Sequence, residues 1–499
     1  MMMNYISTRD KKAVRTASGA ILQGLSAEGG LFVPETVPTL SDEELSRCCA
    51  LDYCARARLV LGKFLGDFSG EEIFDCVSGA YTGGRFENDL PAPISKLDDS
   101  TYVLELWHGP TCAFKDMALQ ILPRLLSVSA KKNRQEGEVV ILVATSGDTG
   151  KAALEGFRDV PGTRILVFYP EDGVSEIQKL QMRTQEGENV GVCAVRGNFD
   201  DCQSGVKEIF TDPSLAQRLE RAGKRFSSAN SINWGRLLPQ IVYYVSAYCD
   251  LVQNEEIALG DEINVAVPTG NFGNILAAYY AKRMGVQIGK LICASNRNNV
   301  LTDFFASGVY DRNRDFFATL SPSMDILISS NLERLLFELG GRDGEQVRAL
   351  MAALQSEGRY TVPPQMKARM QDEFFAGCCS DEKTKATIRS VFEQYCYLID
   401  THTAVAFDVC EQYRRSIPDE RKTLIVSTAS AYKFADSVCG ALGLEAEGED
   451  LFAPADALCR HTGVAVPQPI AALRGKTVRF SRSCERGGMA GFVCETLGI

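Results

Sequence analysis

From about residue 100 onward, short apolar runs alternate with longer amphipathic stretches, the pattern of buried parallel strands each followed by a helix. The runs Tyr102–Leu106, Val139–Ala144, Arg164–Tyr169, Val190–Val195, Ile263–Val267, Leu291–Ala294 and Thr423–Val426 are predicted strands. Helices are expected from about Ala113 and from about Tyr432. The first 97 residues lack this alternation. After a short extended start they read as helical, with apolar positions at helical spacing from Asp42 to Gly79, broken by Gly62, Gly66 and Gly70. Pro91-Ala92-Pro93 reads as a linker, and residues 343–395 are charged and helical in pattern. No repeat or low-complexity tract appears. The fold class is α/β, and 499 residues are too many for one small domain.

Composition narrows the function. The net charge of −11 argues against nucleic acid as the main partner, because a phosphate backbone requires a basic face. A local cationic pocket for a small anion remains compatible with it. The 17 cysteines follow no regular spacing and form no CxxC pair, and there are only three histidines, His108, His402 and His461. Reduced, mostly buried thiols are therefore expected, with no metal site. Met1–Lys12 has neither a signal-peptide apolar core nor a presequence pattern, and no apolar run approaches the ~20 residues of a membrane span. A cytoplasmic location without a membrane partner is the expectation.

Four predicted strand ends carry unusual chemistry, and strand ends are where open α/β sheets collect ligands. The first is Leu104-Glu-Leu-Trp-His-Gly-Pro-Thr-Cys-Ala-Phe-Lys-Asp116. Lys115 falls near the start of a mostly apolar helix, where the dipole disfavours an ammonium and suits a nucleophilic or Schiff-base amine. An exposed lysine paired with Asp116 explains the position equally well. His108 and Trp107 read as structural. The second, Val143-Ala-Thr-Ser-Gly-Asp-Thr-Gly150, presents small and hydroxylated residues that leave backbone N–H groups open to an anion, with Thr149 placed to help cap the next helix. Gly150-Lys151 superficially suggests a nucleotide-binding loop, but the glycine spacing is short and Ala152 stands where Ser or Thr is required. The third, Val265-Ala-Val-Pro-Thr-Gly-Asn-Phe-Gly-Asn-Ile275, reads as a cup for one phosphate monoester, with a merely tight turn as the bland alternative. The fourth, Ile425-Val-Ser-Thr-Ala-Ser-Ala-Tyr-Lys433, offers hydroxyls that serve either one neutral hydrogen bond or helix capping.

Taken together these segments resemble the threonine synthase family of fold-type II pyridoxal-phosphate enzymes. Tyr5-Ile-Ser-Thr-Arg9 and Gly29-Gly-Leu-Phe-Val-Pro34 are similar to the family's opening, and HGPTCAFKD, ATSGDTG, SANSINWGR, PTGNFGN and the late STAS segment follow in family order, from residue 5 to at least residue 440. The resemblance implies a tryptophan-synthase-beta-like fold. It would have an N-terminal, mainly helical module over 1–97, a large cofactor domain over 98–135 and 222–499, and a smaller α/β domain over 136–221. It implies that Lys115 carries pyridoxal 5′-phosphate as a Schiff base. It places Gly270, Asn271, Phe272, Gly273 and Asn274 at the cofactor phosphate, Thr428 near the pyridine nitrogen, and Asp148 near the 3′ oxygen. An ionised Asp148 would repel a phenolate there. Ser146 and Thr149 match the loop beside the amino-acid moiety. Asn230, Ser231, Asn233 and Arg236 match the element by the substrate phosphate, with Arg236 as the anion clamp. Ala431 and Thr401 depart from the family, which commonly has proline at both places. The implied reaction converts O-phospho-L-homoserine and water to L-threonine and phosphate by γ-elimination and β-addition. A phospholyase releasing 2-oxobutyrate, or a silent binding protein of the same fold, would share most of these segments.

Overall fold

The apolar runs pair into two sheets whose central strands are buried almost from end to end. The computed structural model describes residues 3–135, 137–172, 174–448 and 450–499. The larger sheet has six strands in the order Phe374–Cys378, Ile288–Ser295, Ile263–Pro268, Thr423–Ser427, Thr101–Glu105, Ile94–Lys96. All neighbours are parallel except the last pair. The smaller sheet has five parallel strands in the order Ser483–Glu485, Val190–Arg196, Thr163–Pro170, Glu138–Ala144, Lys224–Ser227. Strands buried on both faces carry no polar alternation, which is why continuous apolar runs announced them.

All of the predicted strands form, and the differences lie where a strand is short or charged. Lys224–Ser227 and Ser483–Glu485 sit at the two edges of the smaller sheet, so neither needs an apolar run. The helix Met489–Leu497 follows the second of them. Its Met489, Phe492, Val493 and Leu497 share a core with Leu142, Leu166 and Phe168, and Phe492 meets Phe168 edge-on at 5.5 Å. The smaller sheet and its core therefore take in 224–227 and 483–497, residues that the expected division 136–221 and 222–499 places in the larger unit. Ile94–Lys96, expected within the N-terminal module, is the antiparallel edge of the larger sheet. The stretch 343–395 holds the helices Gly344–Ser356, Pro364–Glu373 and Asp381–Tyr395, but also the edge strand Phe374–Cys378. The helix expected from Ala113 begins at Asp116, stops at Leu119 and resumes over Leu122–Lys132.

The N-terminal module has a three-stranded antiparallel sheet, Arg15–Thr16, Asn4–Ser7 and Phe32–Pro34, and four helices. Its core is continuous with the larger unit: Tyr5, Phe64 and Tyr280 surround Trp234 with ring centroids 5.5–5.8 Å away. The Tyr5–Arg9 segment is fixed by Glu333, which accepts from Thr8 Oγ1 at 2.6 Å and from Arg9 Nε and Nη2 at 2.9 and 2.7 Å. Among the described residues no helix is long and apolar enough to cross a membrane.

One backbone contact ties the smaller unit to the Lys115 turn. Gly156, on the helix Asp148–Phe157, lies so close to the next turn that a Cβ there would collide with the Leu119 carbonyl oxygen. Backbone cannot give way as a flexible side chain can. Gly156→Ala is expected to cost about 1–3 kcal/mol by forcing the two helices apart. Thermal unfolding of the cofactor-free protein checks this, and an unchanged melting temperature would contradict it.

Candidate active site

Three of the four chemical segments leave neighbouring strands of the larger sheet at the same edge, because Ile263–Pro268, Thr423–Ser427 and Thr101–Glu105 are adjacent and parallel. The fourth leaves Glu138–Ala144 in the smaller sheet. The Lys115 turn is built first. His108 is clamped between Glu105 (2.6 Å) and Glu87 (2.8 Å) and stacks on Trp107. Burial opposes its charge, but the hydrogen bonds to the two glutamates outweigh it and raise the His108 pKa. Asp116 points inward and accepts from Thr111 N at 2.8 Å and Thr111 Oγ1 at 2.7 Å. Burial lifts its pKa to about 6. A Cβ on Gly109 would come within 2.6 Å of this carboxylate, so the glycine is required by Asp116. The segment then zips against the STAS segment, with Phe114 N to Thr428 O at 2.8 Å and Ser430 N to Cys112 O at 3.1 Å.

Asp116 is thus occupied, and Lys115 pairs elsewhere. Its amine lies 3.6 Å from Asp148 Oδ2 and is about nine-tenths buried. Burial is the main cause that lowers its pKa; Asp148 opposes the shift, while Lys433 and Arg236 add to it. Asp148 is the most heavily contacted group of the site. Its Oδ1 takes Lys433 Nζ at 2.6 Å and Gln178 Nε2 at 2.8 Å, and its Oδ2 takes Ser323 Oγ at 3.4 Å. Burial would raise the Asp148 pKa, but the lysines, Lys433 first, hold it far below the usual carboxylate range. Thr145, rather than Thr149, closes this loop by accepting from Gly147 N and Gly150 N at 3.0 and 2.9 Å. Ser146 and Thr149 keep half-buried hydroxyls with no hydrogen-bond partner among the described residues. Lys151 is turned away to Gln185 and Glu155, which removes the nucleotide-loop alternative.

The loop Gly270–Gly273 is held from behind. Ser329 Oγ donates to Gly270 O at 2.7 Å, and both Asn331 N and Nδ2 donate to Asn271 O at 3.1 Å. Among the described residues nothing accepts from the N–H groups of Gly270, Asn271 or Phe272, and no side chain caps the helix Gly273–Arg283. Phe272 is left-handed at φ 62°. A Cβ at Gly270 would lie 2.8 Å from Ser323 O, so here the neighbouring segment, as well as any ligand, excludes a side chain. Asn274 accepts from Tyr243 and Tyr244 at 2.5 and 2.6 Å, while its buried Nδ2 has no partner. An uncapped helix start with open N–H groups fits a phosphate.

Arg236 is 4% exposed, and no carboxylate pairs with it among the described residues. Its Nη1 donates to Ala229 O at 2.6 Å, its Nε has no partner, and burial pulls its pKa down to about 10. Asn233 instead caps the helix Trp234–Gln253, accepting from Gly235 N at 2.8 Å and donating to Ile21 O at 2.9 Å. Both ends of its amide are engaged within the fold. Asn230 is exposed, and Ser231 Oγ lies 3.5 Å from Ser330 Oγ, itself 3.3 Å from Asn271 Oδ1. Thr428 is buried, and its hydroxyl makes no hydrogen bond among the described residues. Its neighbours are structural: Ser427 accepts from Trp107 Nε1 at 3.0 Å and from Thr403 Oγ1 at 3.1 Å, and Ser430 caps the turn Ala431–Phe434. Ala431 and Thr401 each occupy the first position of a helical turn, which suits proline but accepts other residues. His402 is buried between Asp400 and the Ser323 N–H.

Residues 4–81 match the model of the threonine synthase N terminus, and residues 89–429 match that of pyridoxal-phosphate dependent enzymes. The threonine synthase of Pseudomonas aeruginosa is 40% identical over 87% of this chain and 90% of its own length. The chain belongs to the threonine synthase family. A solved PLP-bound threonine synthase from Brucella melitensis superposes with a TM-score of 0.88 at 36% identity, covering 99% of this chain and 98% of that one. Human threonine synthase-like 1 is also 40% identical, over 88% of this chain, but the chain spans only 61% of that relative's length.

Sequence reasoning missed the residues that support the candidate site from behind. Arg334 is fully buried and donates to Phe32 O (3.1 Å), Asn331 Oδ1 (2.5 Å) and Ile232 O (2.6 Å). It thereby joins the N-terminal module, the SANSINWGR segment and the residue that holds Asn271. Nothing in its local sequence signals this. Arg334→Met is expected to destabilise the protein by roughly 2–4 kcal/mol by leaving those oxygens unsatisfied. Thermal unfolding of the apoprotein measures it, and a wild-type melting temperature would refute the role.

Proposed function

We propose that this chain is a threonine synthase, converting O-phospho-L-homoserine and water to L-threonine and phosphate with pyridoxal 5′-phosphate bound at Lys115. The observation that carries the reading is a buried cluster in which Lys115 and Lys433 both pair with one carboxylate, Asp148, while the buried Arg236, which has no carboxylate partner among the described residues, adds a third cation close enough to depress the Lys115 pKa. Such an excess of buried cations is stable only where anions are to be bound. Two phosphates and a carboxylate are what cofactor and substrate bring.

The residues present fit the cofactor. The open N–H groups of Gly270, Asn271 and Phe272 would take its phosphate, Lys115 its aldehyde carbon, and Thr428 its ring nitrogen through a neutral hydroxyl. Bound there, pyridoxal phosphate supplies an electrophilic carbon and a ring that accepts electrons from the substrate. The chain supplies the rest. Lys115, its amine biased toward the free base by burial, removes the proton at Cα and moves protons at Cβ and Cγ. Arg236 holds the phosphate that departs from Cγ. The SGDT loop, with the free hydroxyls of Ser146 and Thr149, receives the amino-acid end.

Borohydride treatment of the purified protein is expected to fix the cofactor on Lys115, and mapping the adduct to another lysine would overturn the reading. Arg236→Ala should leave the visible spectrum intact and cut kcat/KM for O-phospho-L-homoserine by an amount equivalent to about 2–5 kcal/mol. Arg236→Lys should recover only part of this, since a point charge lacks the planar fork. Wild-type kcat/KM in Arg236→Ala would remove Arg236 from the site.

A further inference from the structure

Lys433 is a fully buried charged group beside Lys115, with a side chain 0% exposed. It sits in the turn Ala431–Phe434 just beyond the STAS segment and spends its ammonium on Asp148 Oδ1 at 2.6 Å and Thr111 O at 2.9 Å. Gln178 completes the hold on Oδ1, which leaves Oδ2 for Lys115 and Ser323. Burying a second lysine beside the first is unfavourable on its own account. Its place requires a compensating role.

We propose that Lys433 is a positioning residue for Lys115: it anchors Asp148 by one oxygen so that the other faces the Lys115 amine, and it cancels the carboxylate charge that would otherwise hold that amine as ammonium. The inference rests on the reading of Lys115 as the reacting amine. The pairing also removes a conflict, since an ionised Asp148 near a phenolic oxygen would repel it, whereas an Asp148–Lys433 pair carries no net charge. Other titratable groups face this cluster. Asp116 and Cys112 lie on the Lys115 segment, Arg236 on the helix Trp234–Gln253, and His402 with Asp400 at the start of the helix Thr401–Ser416. Burial, and then Lys433 with Arg236, depresses the Lys115 pKa against the pull of Asp148, so the sign of each substitution follows. Loss of Lys433 alone leaves the carboxylate unopposed and favours the Lys115 ammonium. Loss of Asp148 alone leaves two cations facing each other and favours the free amine.

The test uses apoprotein and pyridoxal phosphate, following the visible absorbance as the free Lys115 amine condenses with the aldehyde and releases water, across a range of pH. Lys433→Met should slow condensation about tenfold at neutral pH and move the half-maximal rate to higher pH. Lys433→Arg should restore most of both. Asp148→Asn should move the half-maximal rate below wild type, and Asp148→Asn with Lys433→Met should bring it back between Asp148→Asn and Lys433→Met. If Lys433→Met does not fold, the comparison of Asp148→Asn with the neutral double variant carries the test, the double variant lying at higher pH. A wild-type pH profile in Lys433→Met, whatever its melting temperature, or no difference between those two Asp148 variants, would overturn the proposal. Failure of wild-type apoprotein to react at Lys115 would instead overturn the proposed function, and this inference with it.

Discussion

A carboxylate carried out of water must find counter-charge within a few ångströms or give up its charge. Asp148 finds two lysines, each brought by a different part of the chain, and most of the active-site architecture follows from making that meeting possible. Lys115 comes from the larger sheet's strand Thr101–Glu105, Lys433 from the adjacent strand Thr423–Ser427, and Asp148 from the smaller sheet. The two units cannot separate without exposing or orphaning this group. The contact that sets the chemistry therefore also sets their relative placement.

Several features become necessary once that constraint is accepted. Asp116 must be diverted from Lys115, and Thr111 diverts it through two hydrogen bonds that leave Gly109 no room for a side chain. The helix bearing Asp148 must approach the Lys115 turn at backbone distance, which Gly156 permits. The N–H groups of the Gly270–Asn274 loop stay free while its carbonyls are tied off by Ser329 and Asn331, and Asn331 is fixed in turn by Arg334. The N-terminal module closes this chain of support through Phe32 and through the clasp of Thr8 and Arg9 on Glu333.

How much of this was legible depended on whether the signal was local. Buried parallel strands such as Val139–Ala144 announce themselves because both faces are apolar. The Gly270–Asn274 loop was legible as a candidate anion cup, with a tight turn as the alternative, because two glycines follow a buried strand end. The edge strands Lys224–Ser227 and Ser483–Glu485 were not, since an edge needs little apolar surface, and without them residues 222–499 read as one unit. Asn233 was read toward the substrate, yet its amide is engaged in capping a helix, a use its type favours equally. Lys433 was the one charge in an otherwise neutral segment, a signal that was present, but its partner lay nearly three hundred residues away. Gln178, Ser323 and Arg334 carry no local mark, because their roles exist only in three dimensions.

The proposed reaction expels phosphate by breaking the carbon–oxygen bond at Cγ and then adds water at Cβ. Turnover of O-phospho-L-homoserine in ¹⁸O-labelled water, with products identified by mass spectrometry, tests it most directly. The expected products are L-threonine with one ¹⁸O in its hydroxyl and inorganic phosphate without ¹⁸O. Label in the phosphate with homoserine as the organic product, or 2-oxobutyrate in place of threonine, would contradict it.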